Sequence, residues 1–227
     1  PWPAYWFNLN IQLTYSPLFA ANHLLLSEGL VKMIDDGKEN LIRNVPEEYR
    51  HNAAALGRTA AVDLYSPLKV FSNRDTTAGD ASLELGNLTW VLHSYWLQYR
   101  YSMDAKLKEN LFPILKRSIN YYLAVMNKEE DGKWHLPYTY SPEYSKGVTR
   151  DCNYDLSLLR WGCETLLKLN DNDELAPVWK DVLQNLVSYP TDGNGLRIGR
   201  DVAFNQSHRH YSHLLMIYPL YTMNWEQ

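Results

Sequence analysis

Apolar residues recur at helical spacing along most of the chain. Ser16-Pro17 reads as an N-cap followed by proline at the first helical position. Leu18, Ala21, Leu24, Leu25, Leu26, Leu30, Met33 and Ile34 then form a stripe that Gly37 ends. Leu9, Leu13 and Pro17 also fit one face, so helical backbone ahead of Pro17 is the alternative. A second helix is expected from Pro46 to Leu56. Residues 57–79 form a long irregular stretch containing Pro67 and Asn73-Arg74-Asp75. Its apolar Leu64, Leu68, Val70 and Phe71 mark it as ordered. Leu85, Leu88, Leu92, Tyr95, Trp96 and Tyr99 predict a helix over 80–102. Leu107, Leu111, Leu115, Ile119, Tyr122 and Val125 predict another over 104–127, kinked or broken at Pro113. A stripe of Leu158, Leu159, Gly162, Leu166 and Leu169 covers 151–169, with a partner helix over 173–187. Asp192-Gly193-Asn194-Gly195 is a turn signal, and Leu196, Ile198 and Val202 suit a short hairpin beside it. A last helix is expected over 212–218. No fixed-period repeat is visible; the recurring unit is the αα-hairpin.

Composition narrows the classes. The chain has 227 residues, enough for one large domain or two small ones. Its 26 acidic and 22 basic residues leave a net charge of −4, which argues against a nucleic-acid binder held by a basic field. No apolar run reaches the roughly 18 residues that a membrane span needs. Pro1-Trp2-Pro3 opens without a charged or apolar leader, so either none existed or the chain starts downstream of one. The 17 Tyr and 8 Trp against 5 Phe suit either sugar stacking or the filling of a large core. Cys152 and Cys163, if on one helix, lie about 16 Å apart and do not pair.

Four clusters could carry chemistry. Ser141-Pro142-Glu143-Tyr144 lies in a loop among Tyr138 and Tyr140, with Trp134 and His135 upstream. Glu143 is either a turn residue facing water or a proton donor whose pKa an aromatic setting raises. Asn8-Leu9-Asn10, near Trp2, Tyr5, Trp6 and Phe7, puts two amides on one face if extended. These amides either orient a water or a sugar hydroxyl, or cap a turn. His208-Arg209-His210-Tyr211-Ser212-His213 places His210 and His213 at helical spacing. It reads as a sugar or carboxylate site, as structural histidines or, least readily, as a metal site lacking a full ligand set. Asp151 and Asp155 suit a helix start, and Asp75, Asp80 and Glu84 border the long loop. Dinucleotide and P-loop glycines, a His-Glu-x-x-His motif and a Gly-x-Ser-x-Gly elbow are absent, and no cofactor or metal is expected.

Taken in order, these segments resemble the catalytic domain of glycoside hydrolase family 95, the α-L-fucosidase family, among the six-hairpin toroid glycosidases. Asn8-Leu9-Asn10 through Tyr15-Ser16-Pro17 is similar to the family's Asn-x-Asn…Tyr-Trp-Pro segment, with Ser16 in place of Trp. Trp96 to Pro113 resembles its helix-pair segment, and Ser141-Pro142-Glu143 its Ser-Pro-Glu. His208-Arg209-His210-Tyr211-Ser212-His213-Leu214 with Tyr218-Pro219 resembles its His-Arg-His-x-Ser-His-Leu…Tyr-Pro. The resemblance implies an all-α fold of (α/α)6 toroid type: an incomplete barrel of about eight helices with long loops and a short β-hairpin, one catalytic-domain fragment over 1–227. It implies an inverting hydrolase of terminal α-L-fucosyl or galacto-configured residues. Glu143 would be the general acid, Asn8 and Asn10 would orient the attacking water, and His208, Arg209 and His210 would line the sugar pocket. Trp6 and Tyr140 are the candidate aromatic contacts to substrate.

The pattern also departs from the family. Its general base is an aspartate in an Asp-Gly-Asn-Phe-Gly-like motif well after the His-Arg-His segment, whereas Asp192-Gly193-Asn194-Gly195 lies upstream and is not given that role. The first hairpin and accessory β domains are expected elsewhere in a full-length protein, which the resemblance places in the periplasm or outside the cell. The expected partner is an oligosaccharide or polysaccharide substrate, not nucleic acid or membrane. Two other readings follow from the same residues: a toroid polysaccharide lyase using Asn8, Asn10 and His208 to Tyr211, or a glycan-binding remnant without turnover.

Overall fold

The structure, a computed structural model, describes residues 3–68 and 80–224, and of residues 80 and 81 the backbone only. Trp2, Val70, Phe71, Asn73-Arg74-Asp75 and the side chain of Asp80 lie outside the described residues. The fold is all-α. Seven α-helices are present among the described residues: α1 Asn10–Ala20, α2 Leu24–Asp36, α3 Lys38–Arg43, α4 Asn87–Ser102, α5 Ala105–Val125, α6 Asn153–Leu169 and α7 Ala176–Asn185. The strands are four two-residue antiparallel pairs: β1 Tyr5–Trp6 with β2 Thr59–Ala60, β3 Asn127–Lys128 with β4 Trp134–His135, β5 Thr139–Tyr140 with β6 Val148–Thr149, and β7 Thr191–Asp192 with β8 Gly195–Leu196. No described helix is long and apolar enough to cross a membrane.

The chain forms two compact units, Pro1–Val70 with Asn87–Tyr121, and Phe71–Gly86 with Tyr122–Gln227. In the first, α4 is buried continuously from Asn87 to Tyr95, so it reads as a helix surrounded on all sides rather than one with a single apolar face. Asp35 at the end of α2 ties three neighbours together. Tyr95 Oη donates to its Oδ2 at 3.0 Å, Asn110 Nδ2 donates at 3.2 Å, and Lys38 Nζ lies 2.8 Å from Oδ1. Thr89 Oγ1 and Ser118 Oγ, 2.6 Å apart, join α4 to α5 inside the core.

Three expected elements differ in the first unit. Ser16 is not an N-cap: α1 starts at Asn10 and carries Pro17 inside, and the expected long helix breaks at Asn22, whose φ is 57°. Only a 3-10 turn, Glu47–Tyr49, forms where a helix over 46–56 was expected. Residues 53–68 are held instead by one buried amide. Asn44 Nδ2 donates to the carbonyls of Ala55 and Leu64, both at 2.9 Å, and Asn44 Oδ1 accepts Ser66 N–H at 2.7 Å. Those bonds satisfy the backbone of an ordered loop that buries Leu64 and Leu68. Pro113 does not end α5, which runs unbroken to Val125.

In the second unit α6 buries Leu156, Leu158, Leu159, Cys163 and Leu166 and packs against α7 through Trp179 and Val182. Each such apolar side chain contributes about 1.5–3 kcal/mol by leaving water. Cys152 precedes α6 and Cys163 lies within it; both are buried free thiols. The expected hairpin forms as β7–β8 across Gly193-Asn194. The expected helix over 212–218 shrinks to a 3-10 turn, Ser212–Leu214, because Tyr211 sits in the left-handed region at φ 51° and blocks a helical approach.

Candidate active site

The β5–β6 pair carries a tight loop at its tip. Ser141 N–H donates to Gly147 O at 3.1 Å, Tyr144 N–H to Ser141 O at 2.9 Å, and Gly147 N–H to Tyr144 O at 2.9 Å. Glu143 sits inside this closed set of backbone bonds. Gly147 is required by proximity: a Cβ there would lie 2.8 Å from the Tyr144 carbonyl oxygen. Tyr144 packs under the loop, and its hydroxyl donates to Asn205 Oδ1 at 3.1 Å while accepting Asn205 N–H at 3.0 Å.

The segment from Phe204 to Leu214 folds over this loop. Phe204 stacks on His213 with ring centroids 4.4 Å apart, and the His208 ring meets Tyr144 edge-on at 5.2 Å. Because Tyr211 is left-handed, His210 and His213 do not share a helix face. His208 instead neighbours both, at 5.8 Å from His210 and 6.2 Å from His213. Burial, helped by His210, pulls the pKa of His208 below its ordinary value; burial and then His208 push His213 down to about 4. Both are therefore neutral rings near neutral pH.

Glu143 meets the two residues between them. Arg209 Nη2 donates to Glu143 Oε2 at 3.0 Å, and His210 Nε2 lies 2.8 Å from the same oxygen. Arg209 Nε also lies 2.9 Å from His210 Nε2. One ring nitrogen cannot donate to a carboxylate and accept from a guanidinium at once. With Glu143 ionised, Nε2–H donates to the carboxylate; with Glu143 protonated, Nε2 accepts. The arrangement thus bonds both protonation states of one carboxyl group. The aromatic residues lie elsewhere than expected: Tyr140 and Tyr144 are buried beneath the loop, while Glu143, at 28% side-chain exposure, faces polar partners. The sequence allows two readings, a turn residue facing water or a proton donor in an aromatic setting; the structure shows a partly exposed carboxyl bonded by an arginine and an imidazole.

Glu143, His208, Arg209, His210 and Tyr140 all belong to the second unit, and the structure gathers the first four in one cluster across about seventy residues of sequence. Asn8, Asn10 and Trp6 belong to the first unit. Trp6 pairs with Thr59 in β1–β2. The two amides do not share an extended face. Phe7 is fully buried and its N–H donates to Arg58 O at 2.8 Å, after which Leu9 O already accepts Leu13 N–H, so the chain turns straight into α1. Asn8 is therefore 1% exposed, while Asn10 opens the helix on the surface.

The sequence matches the Glycosyl hydrolase family 95 catalytic domain over residues 1–227, the whole chain. The chain belongs to glycosyl hydrolase family 95. No curated protein matches it. As a catalytic domain of family 95 it is a glycoside hydrolase domain.

Other polar clusters of this family 95 domain are buried. Asp151 and Asp155, expected as helix-start acids, stand at the head of α6, Asp155 in its first turn, and both are buried. Asp151, at φ 47°, turns inward to His135 and Leu136 N–H. Asp155 is fully buried and accepts the Tyr122 hydroxyl at 2.9 Å. Burial pushes its carboxyl up to about 7, with Glu84 adding to the rise and Thr139 and Tyr122 opposing it. Glu84, expected to border a loop, is buried too. A polar cavity of about 500 Å³ is lined by Asp131, His135, Asp151, Thr191, Arg197 and Arg200. The His-Asp spacing of sixteen residues gave no signal; only the strand pairing that folds 139–149 back on itself brings the two together. Among the described residues no group of three or more His, Cys, Asp or Glu is arranged to hold a metal ion.

Proposed function

We propose that this family 95 domain hydrolyses terminal α-L-fucosyl or related galacto-configured residues of glycans by an inverting mechanism, with Glu143 as general acid. The observation that carries the reading is the Glu143 carboxyl held by Arg209 at 3.0 Å and His210 at 2.8 Å at the tip of a loop. A carboxyl that is bonded whether protonated or ionised is suited to deliver a proton to a leaving oxygen and recover it afterwards. In this reading Arg209, His210 and His208 also line the sugar site, and a base outside the assigned residues activates the attacking water. An inverting site separates acid and base by about 6.5–9.5 Å to admit that water.

The test is Glu143→Gln on paired α-L-fucosides. General acid assistance matters for an alkyl leaving group and little for dinitrophenolate. The variant should lose about 100-fold or more on the alkyl fucoside and retain most turnover of the dinitrophenyl fucoside. Proton NMR of the first-formed sugar should show inversion at the anomeric centre. Retention of configuration, or full alkyl-fucoside activity in Glu143→Gln, defeats the reading. On a uronate-containing polysaccharide, a product absorbing as an unsaturated uronide identifies a lyase instead.

A further inference from the structure

Beneath Glu143 runs a buried chain of small polar groups that the acid role leaves unexplained. Ser141 Oγ and Ser212 Oγ are 2.6 Å apart, and both residues are essentially inaccessible to solvent. Ser212 Oγ lies 3.3 Å from His208 Nε2. The His208 ring also bonds the Pro142 carbonyl, immediately before Glu143.

Only one arrangement of hydrogens satisfies every member. The Pro142 carbonyl only accepts, so His208 donates to it. A neutral ring that donates there from Nδ1 presents a lone pair at Nε2, which accepts the Ser212 hydroxyl. Ser212 oxygen then accepts the Ser141 hydroxyl. Burial lowers the pKa of His208, which keeps it neutral. Each donor has one acceptor, and the chain links the Glu143 loop to the Ser212–Leu214 turn. Because Ser141 and Pro142 are the two residues before Glu143, both ends of the peptide that aims the carboxyl are fixed.

We propose that Ser212 and His208 act as positioning residues for Glu143, the relay Ser141–Ser212–His208–Pro142 setting where the carboxyl can deliver its proton. This rests on Glu143 being the general acid. A buried chain in which every member is satisfied rigidifies what it touches, and a half-satisfied one does not. Displacing a proton donor by about 1 Å costs on the order of 100-fold in rate.

The experiment compares Ser212→Ala, Ser141→Ala and Glu143→Gln on the alkyl and dinitrophenyl α-L-fucosides. Either serine variant should lose about 10- to 100-fold in kcat on the alkyl substrate and stay within about threefold on the dinitrophenyl one. Equal loss on both substrates, or no loss on either, overturns the positioning role. If Glu143→Gln remains leaving-group selective in that case, the acid reading stands alone; if it does not, both fall. A readout independent of turnover is the 15N spectrum of the His208 ring. The parent should show a neutral ring protonated at Nδ1, and Ser212→Ala should move the Nε2 resonance to that of an unbonded nitrogen. A cationic ring near neutral pH, a proton on Nε2, or an unmoved Nε2 resonance overturns the proposal whatever the kinetics.

Discussion

His135 Nδ1 lies 2.7 Å from Asp151 Oδ2, and the other oxygen of that carboxylate accepts the Leu136 N–H at 2.8 Å. Both side chains are almost fully buried. The carboxylate closes the base of the β5–β6 segment whose tip carries Glu143. Burial is the largest single influence on His135 and lowers its pKa, but Asp151, Asp131 and Glu129 together outweigh it and the net direction is up. A raised imidazole pKa means the folded state binds the proton more tightly than the unfolded chain. The stabilisation is therefore complete below the unfolded value of about 6.5 and is lost as pH rises through the folded one. Asp151→Ala should cost about 3 kcal/mol, because it strands a buried imidazole and a backbone N–H. It should also flatten the fall in stability as pH rises above about 6.5. Denaturant unfolding at several pH values measures both effects, and an unchanged slope in the variant refutes the linkage.

Asp155 gives the same downward trend with rising pH, here through a carboxyl whose pKa is raised. Its carboxyl is pushed up to about 7 from the ordinary 3.8. Between those values the native state holds a proton that the unfolded chain has released, so stability declines as pH rises from about 4 to 7, by on the order of 4 kcal/mol. Asp155→Asn keeps a carbonyl oxygen to accept the Tyr122 hydroxyl and never becomes charged. The variant should be at least as stable as the parent at about pH 8 and should lack that decline. A large loss of stability at about pH 8 means that the ionised carboxylate is itself stabilised in the fold.

These two acids show where sequence reading stopped. Helices α4 to α7 were legible because period-3.6 burial is a local property, and Leu88, Leu92, Leu115, Leu158 and Leu166 all lie buried where the stripe put them. The stretch after Pro46 was misread because Ala53, Ala54, Ala55 and Leu56 are buried by tertiary bonds from Asn44 and Arg117 rather than by a helix. Glu143, Arg209 and His210 could be named in advance but not brought together, since their contact depends on a left-handed Tyr211 that no propensity signals. Asp155 looked like a helix-dipole acid because its position within the first turn of α6 was visible and its burial against Tyr122 was not.

Gly147 offers a structural test of the Glu143 loop that leaves the carboxyl itself intact. An alanine Cβ there would meet the Tyr144 carbonyl oxygen at 2.8 Å and the Ser141 carbonyl oxygen at 3.1 Å, both backbone atoms that cannot rotate away. Those two carbonyls accept the bonds that close the loop, so relief of the clash opens it. Gly147→Ala should lower alkyl-fucoside turnover at least about 10-fold, with a stability loss of about 1–3 kcal/mol. Wild-type kinetics in this variant contradict a rigid loop.

Arg209 separates function from stability most cleanly. Its side chain is 80% exposed, so the ion pair with Glu143 lies in high dielectric and contributes little to folding. Arg209→Ala should therefore shift unfolding by no more than about 0.5 kcal/mol. The same arginine donates, beside His210, to the carboxyl proposed to transfer the proton. Turnover of the alkyl fucoside should fall about 10-fold, with Arg209→Lys intermediate because an ammonium keeps the charge without the planar fork. Salt adds a second check. An exposed pair is screened as ionic strength rises, so the parent should lose activity between about 0.05 and 0.5 M salt while Arg209→Ala stays level. If parent and variant respond alike to salt, the guanidinium is not acting on Glu143 through charge.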